Sequence, residues 1–406
     1  MLSWFIVGML FLVVLWATFF VLYQLGLAIV YLFVQDKPVA KEDPQKRFAV
    51  IIPAHNEEMT IGTALESWKR MQYPRNLFEV YVIADNCTDQ TSEIARAHEA
   101  ACFTRQDTEK TGKGRAIAWA LETIPLYAHD AVVIVDADTT VSPEFLTVMN
   151  NRLVSGSKVI QGYDGVLNPD DSCMTRLMQI TNVMKNLLFN HAKSKVGLSV
   201  QLMGTGMCFD RLILQQVGWK AFSKGEDGEQ FAYLTEAGIQ IEYEPKAIVH
   251  AQEASSFGQA YTQRIRWASA RMQLVGLGIE LLVSGLRKCD LRLIDAALTY
   301  LIPNYAMLSS LSLIGFGITL LADLSFRHVF LLWFIVLLGG QILYLALGVA
   351  LSRPSIKTLT SLSFAPVFLL WKMAIDLIAL LRLNDSVWVR TSRVSPKEKQ
   401  TPINYP

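Results

Sequence analysis

The sequence predicts a mixed α/β domain with a mostly parallel sheet, carried between hydrophobic segments at the two ends of the chain. Three observations predict it. The 406 residues are 52% hydrophobic and 18% charged, whereas a soluble domain carries roughly a quarter of its residues as charges. The apolar excess is segregated: the first charge is Asp36, and long charge-free stretches return beyond residue 295. Between the ends, short β-branched runs alternate with helical patterns, as in a sheet covered on both faces.

Residues 1–35 have neither the basic leader nor the short apolar core of a signal peptide, so they read as an uncleaved transmembrane anchor. A helix over Trp4–Val34 exceeds the roughly 20 residues a bilayer needs, and it tilts or projects. Residues 36–255 then form one polar domain on one side of the membrane. Within it Phe48–Pro53 is a buried strand and Glu57–Met71 a helix with Ile61, Leu65 and Trp68 on one face. Val80–Ala84 is a second strand and Thr88–Ala100 a second helix. A weaker strand, Cys102–Arg105, precedes a helix over Gly114–Thr123, and Ala131–Val135 is a further buried strand. Residues 256–295 read as interfacial amphipathic helices. Ala296–Ala322 and Val329–Ser352 are charge-free spans, the first containing Pro303. Thr358–Leu381 carries Pro366, Lys372 and Asp376; an interfacial helix is the favoured reading, with a span that turns the Lys–Asp pair inward as the alternative. The membrane region thus covers 296–383, and 384–406 is a tail.

Charge near the spans gives the orientation. Arg287, Lys288, Arg292, Arg353 and Lys357, with Arg390, Arg393, Lys397 and Lys399, favour a cytoplasmic central domain and carboxyl end. The five cysteines show no paired close spacing, so neither a disulfide framework nor a zinc site is expected. The net charge of +1 gives no reason to expect nucleic acid.

Ligands of parallel sheets sit at the carboxyl ends of strands, and here those ends are charged. The first strand runs into Ala54-His55-Asn56-Glu57-Glu58, the second into Asp85-Asn86-Cys87-Thr88-Asp89, and the third buried run into Asp136-Ala137-Asp138. Two carboxylates two residues apart can present oxygens to a hard divalent cation and its phosphates. Alternatively, Asp138-Thr139-Thr140 caps a helix beginning near Pro143. Gly112-Lys113-Gly114 opens a helix, either as an ordinary solvated turn or as a place where backbone amides and a cation meet an anion. Glu226-Asp227 opens another, either as dipole complementation or as the home of a general base. Gln263, Arg264, Arg266 and Trp267 share one and a half helical turns; an arginine binds a diphosphate bidentately, and an indole offers a flat face to a sugar. A basic helix resting on lipid headgroups is the plainer reading of that run taken alone. His250 and Glu253 follow a probable strand and His250 reads as structural, Cys208 and Met203, Met207 and Met272 as packing, and His191 among Lys185, Lys193 and Lys195 as a solvated helix end.

In order along about 215 residues, these pieces resemble a membrane-bound family 2 glycosyltransferase of the GT-A fold. Glu226-Asp227 with Gln263-Arg264-Ile265-Arg266-Trp267 resembles the processive poly-N-acetylglucosamine, cellulose, hyaluronan and chitin-oligosaccharide synthases. The resemblance implies a role for each position. Glu57 and Asp85 would hold the uridine, Lys113 would lie by the nucleotide, and Asp136 would contact the donor. Asp138 would carry Mg2+ or Mn2+, and Asp227 would be the base. Gln263, Arg266 and Trp267 would close over the diphosphate and floor the acceptor site, and Gly204 and Thr205 would line the acceptor path. The expected partners are a UDP-sugar donor, a polysaccharide or lipid acceptor, membrane lipids, and a small membrane subunit or a second copy of the chain. The expected location is the plasma membrane. Where many relatives have two adjacent acids this chain has Ala84-Asp85.

Overall fold

The computed structural model describes residues 2–36 and 38–381; the tail, with Arg390, Arg393, Lys397 and Lys399, lies outside the described residues. Eight strands form one sheet: β1 (Phe48–Ala54), β2 (Phe78–Asp85), β3 (Ala101–Arg105), β4 (Ala131–Ile134), β5 (Thr139–Val141), β6 (Val159–Val166), β7 (Met207–Asp210) and β8 (Ile241–Ala251). Their order is β3-β2-β1-β4-β7-β6-β8-β5. β1 is parallel to β2 and β4, β2 to β3, and β6 to β8. β7 runs antiparallel between β4 and β6, and β5 antiparallel on β8. The predicted mostly parallel α/β sheet is therefore present.

β1 shows why its sequence is an unbroken apolar run rather than an alternation. Ala49 and Ile51 pack on one face with Ile83, Ile117 and Phe231, while Phe48, Val50 and Ile52 pack on the other with Trp68, Val82 and Phe145. A strand covered on both faces leaves no position for a polar residue.

The first two helices are shorter than their apolar periodicity suggested, Ile61–Lys69 and Thr91–Ala97. Turns take the missing residues. Asn56 and Asn86 occupy the left-handed region (φ 56° and 51°), which asparagine tolerates better than most residues. Their side-chain oxygens accept from Thr88 N at 2.8 Å and Asp107 N at 2.9 Å, tying the loops after β1, β2 and β3 together. Asp138-Thr139-Thr140 does not open a helix either. Thr139–Val141 pairs with β8 as β5, and the helix begins later, at Phe145.

Outside the sheet, two expectations change and two segments take definite form. The Ala296–Ala322 stretch is two helices, Leu291–Leu301 and Tyr305–Leu321, bent by 69°. Pro303 forces the break: it disfavours a helical Ile302, which is extended, and Asn304 recaps the chain by accepting from Met307 N at 2.7 Å. Helix Ile356–Leu381 accommodates Pro366 by tightening to a 3-10 turn at Leu362–Phe364, which leaves the proline in the first turn of the Ala365–Leu381 segment, where it removes no α-helical hydrogen bond. It is long and apolar enough to cross a membrane, as are Trp4–Phe33 and Arg327–Leu351. Its Lys372–Asp376 pair (3.0 Å) turns inward, where Asp376 also accepts from Asn304. The amphipathic segment after β8 is two helices, Phe257–Gln273 and Val275–Lys288.

Finally, the His191–Lys195 region is not a solvated end. Cys173–Lys195 is one long helix with an eight-residue π segment, Met184–His191, at its centre. Lys193 is fully buried, and His191 binds Asp36 at 2.6 Å. Lys195 donates to the carbonyls of Tyr31 and Val34, capping the anchor helix. The N-terminal helix Leu2–Phe33 and the sheet-bearing domain meet along this helix.

Candidate active site

The carboxyl ends of β1, β2 and β4 surround a cavity of about 420 Å³. Its lining includes Glu57 beyond β1, Asp85 at the end of β2, Lys113 at a helix start, Asp136 and Asp138 beyond β4, and Arg266 from the Phe257–Gln273 helix. Six residues picked from the sequence thus share one cleft, although they lie up to 209 positions apart.

Asp85 is 5% exposed and held by Arg105 Nη1 at 2.6 Å. Arg105 also donates to Asp107 and to the Lys110 carbonyl, fixing the loop that leads to Gly112. Burial raises the Asp85 carboxyl, and Arg105 opposes that rise. His55 Nδ1 lies 2.6 Å from the Asp85 carbonyl. Reading single motifs missed Arg105 and His55; the first is a cation closing β3, the second sits inside the quoted motif after β1.

Lys113 is the hub. Its ammonium lies 2.6 Å from Asp136 and 3.3 Å from Glu226, and donates to the Gly204 carbonyl at 2.7 Å. Gly204 has φ +80°, and a Cβ there would stand 3.2 Å from Lys113 Nζ and 3.6 Å from Asp227 Oδ2. Glycine is therefore required twice, by conformation and by close approach. Gly114 is required by contact alone, since a Cβ would lie 2.1 Å from the Ala221 carbonyl. Thr205 Oγ1 accepts from Asp136 N at 3.2 Å, so the Gly204-Thr205-Gly206 turn touches Asp136 on one side and lies against Lys113 and Asp227 on the other.

Four charges in so small a volume shift one another. Burial opposes the Lys113 charge, but Asp136, Glu226 and Asp227 outweigh it and raise that ammonium above its ordinary range. Burial raises the Asp136, Glu226 and Asp227 carboxyls, with Lys113 the main opposing influence on each. Exposure of 25% for Lys113 and 36% for Asp136 keeps solvent in contact with the pair. A carboxylate raised this way is a stronger proton acceptor than an exposed aspartate.

The aromatic motif is divided between two environments. Arg266 reaches the cleft, Gln263 is buried, and Trp267 is 43% exposed with the Arg264 guanidinium 4.5 Å above its ring. Arg264 pairs with Glu253, which makes Glu253 a support for this helix. His250 and Cys208 are buried in β8 and β7, and burial pushes the imidazole down to about 4.

Among the described residues no three His, Cys, Asp or Glu side chains converge as a protein-only metal site. Magnesium-type ions commonly take one or two carboxylates and complete their shell from phosphates and water. Asp138 at the cleft wall, two residues from Asp136, fits that requirement.

Residues 44–270, more than half the chain, match the family model described as Glycosyltransferase like family 2. A Sinorhizobium fredii N-acetylglucosaminyltransferase is 24% identical over 375 residues, covering 88% of this chain and 87% of that protein. A Staphylococcus epidermidis poly-beta-1,6-N-acetyl-D-glucosamine synthase is 24% identical, with 62% of each chain covered. A beta-monoglucosyldiacylglycerol synthase of Nostoc is 24% identical, with 55% of this chain and 49% of that protein covered. For the last two, the match spans less than two thirds of the relative's length. In fold, a mannosyltransferase from Pyrobaculum calidifontis, solved with GDP-Man and Mn2+, superposes with a TM-score of 0.57 at 21% identity, covering 86% of this chain and 96% of that one. The chain belongs to glycosyltransferase family 2, with the GT-A fold.

Proposed function

We propose that this enzyme transfers a sugar from a UDP-sugar, with inversion, to the growing end of a β-linked exopolysaccharide of the poly-N-acetylglucosamine or β-glucan kind. The observation that carries the reading is Lys113, which pairs with Asp136 on the donor side and Glu226 on the other, one residue from Asp227. Lys113, which lines the cleft, thus links the acid beyond β4 to the helix start that carries the candidate base.

In this reading Glu57 and Asp85 bind the uridine, and Asp136 contacts the donor. Asp227 accepts the proton of an acceptor hydroxyl as its oxygen attacks the anomeric carbon and the bond to the diphosphate breaks. An α-linked donor gives a β-linkage. Arg266 faces the leaving diphosphate with a permanent charge. Mg2+ or Mn2+, held by Asp138, would supply further positive charge against that group. Gly204, Thr205, Gln263 and Trp267 border the acceptor path. The apolar helices cross the plasma membrane with the catalytic domain in the cytoplasm, as the cations Arg287, Lys288, Arg292, Arg353 and Lys357 favour.

A second reading, one addition to a membrane lipid, is favoured by the modest membrane region: among the described residues, three helices long and apolar enough to cross, or four if the bent pair counts as one span. A polymer channel in so small a bundle would need a small subunit or a second copy of the chain. Membranes containing the protein, supplied with labelled UDP-sugars one at a time and Mg2+ or Mn2+, separate the readings. High-molecular-weight label establishes the polymer; label confined to the organic phase replaces it with the lipid product. Incorporation by Asp227→Asn at the wild-type rate would remove both.

A further inference from the structure

A second lysine–aspartate pair lies away from the cleft, where three structural units meet. Lys193, from the helix beside β6, is fully buried with its ammonium 2.8 Å from Asp295 Oδ2 and hydrogen-bonded to Thr299 Oγ1 at 2.9 Å. The other Asp295 oxygen accepts from Tyr23 OH of the anchor helix at 2.5 Å. Asp295 and Thr299 stand one turn apart on helix Leu291–Leu301, so a residue of the anchor and a residue of the catalytic domain grip the same helix face.

The far end of that helix reaches the active site. Tyr300 is buried and donates from its hydroxyl to the Gly228 carbonyl at 2.6 Å, next to Asp227. Its ring packs on Phe231 of the same short helix (centroids 5.7 Å apart). Gly278 admits the Tyr300 ring, since a Cβ there would stand 2.7 Å from Tyr300 Cβ. A buried ion pair is weak evidence of stability, because desolvation cancels much of its attraction, but it fixes geometry strongly. Tyr300 lies five residues from Asp295, within an unbroken helix that cannot bend between them without losing backbone hydrogen bonds.

We infer that Tyr23, Lys193 and Asp295 are positioning residues that set helix Leu291–Leu301, and through Tyr300 set the turn carrying Asp227, from the membrane anchor. The inference rests on Asp227 being the base. None of these residues touches the donor cleft, so donor binding is independent of them.

The test uses the full-length enzyme in purified membranes, with kcat expressed per folded molecule and donor KM measured for Tyr23→Phe, Tyr300→Phe and the double variant. Each substitution deletes one hydroxyl at nearly constant volume. Each single variant lowers kcat about five- to thirtyfold with donor KM unchanged, and the double variant loses no more than the worse single one, because both act along one path. Effects that multiply in the double variant, or kcat per folded molecule equal to wild type in either single variant, overturn the inference. Asp227→Asn runs in parallel. If it transfers sugar at the wild-type rate, the assignment of the base fails, which is a different result from an additive double variant.

Discussion

Two lysine–aspartate pairs of nearly equal length sit in this chain under opposite electrostatic regimes. Lys113–Asp136 spans 2.6 Å with a quarter to a third of each side chain exposed, and Lys193–Asp295 spans 2.8 Å with at most 9% exposed. Lys113 is raised above its ordinary range because three carboxylates surround it. Burial lowers Lys193, and Asp295 opposes that only in part. The number of opposite charges within reach, more than the contact distance, decides how a buried ammonium behaves. The crowded, part-exposed pair lies in the cleft, where the proposed reaction would need charge to change. The dry pair joins helices, where charge must not change.

The comparison can be broken by substitution. Asp227→Asn should lower transfer by about 10²- to 10⁴-fold, with folding retained, as measured by product formation and by the thermal midpoint. Removing one member of the dry pair should act on the fold instead. Lys193→Met leaves Asp295 buried without its cation and should cost about 3–5 kcal/mol, read as lost thermal stability, whereas Lys113→Met at the quarter-exposed site should cost far less stability and more activity.

A pH profile sharpens the same contrast. Burial raises Asp227, so the acid limb of kcat should lie above the ordinary carboxylate range, activity rising as the group loses its proton. Because the folded-state value is raised, this group's stabilising contribution is present at low pH and is lost as pH rises through the limb. Lys113→Met removes the main opposing charge and should move the limb further up. A limb unmoved by that substitution would show that Lys113 does not govern the base. The smallest effect expected is from Gly204→Ala, about 1–3 kcal/mol of strain at φ +80° together with weakened transfer, since the new methyl meets both Lys113 and Asp227.

The grouping of the strand-end residues in one cleft was largely legible without coordinates. Asp85, Lys113, Asp136 and Asp138 follow buried strands or open helices, so sequence position alone put them at one edge of the sheet. Arg105, Glu253 and Tyr300 were not legible, because each acts on a residue reached only through the fold: Arg105 on Asp85, Glu253 on Arg264, Tyr300 on Gly228. His191 and Lys193 were misjudged for the same reason. A lysine-rich helix end looks solvated until the anchor and the Leu291–Leu301 helix are packed over it.

The sequence by itself determined the α/β class, the membrane-prone ends and the strand-end acids, since these depend on apolar periodicity and on residues close in the chain. Tertiary structure decided which acids share a cation, where Pro303 divides a charge-free stretch, and that Tyr23 and Lys193 meet at Asp295. Those outcomes depend on burial and on distances between residues hundreds of positions apart, and no local pattern encodes either.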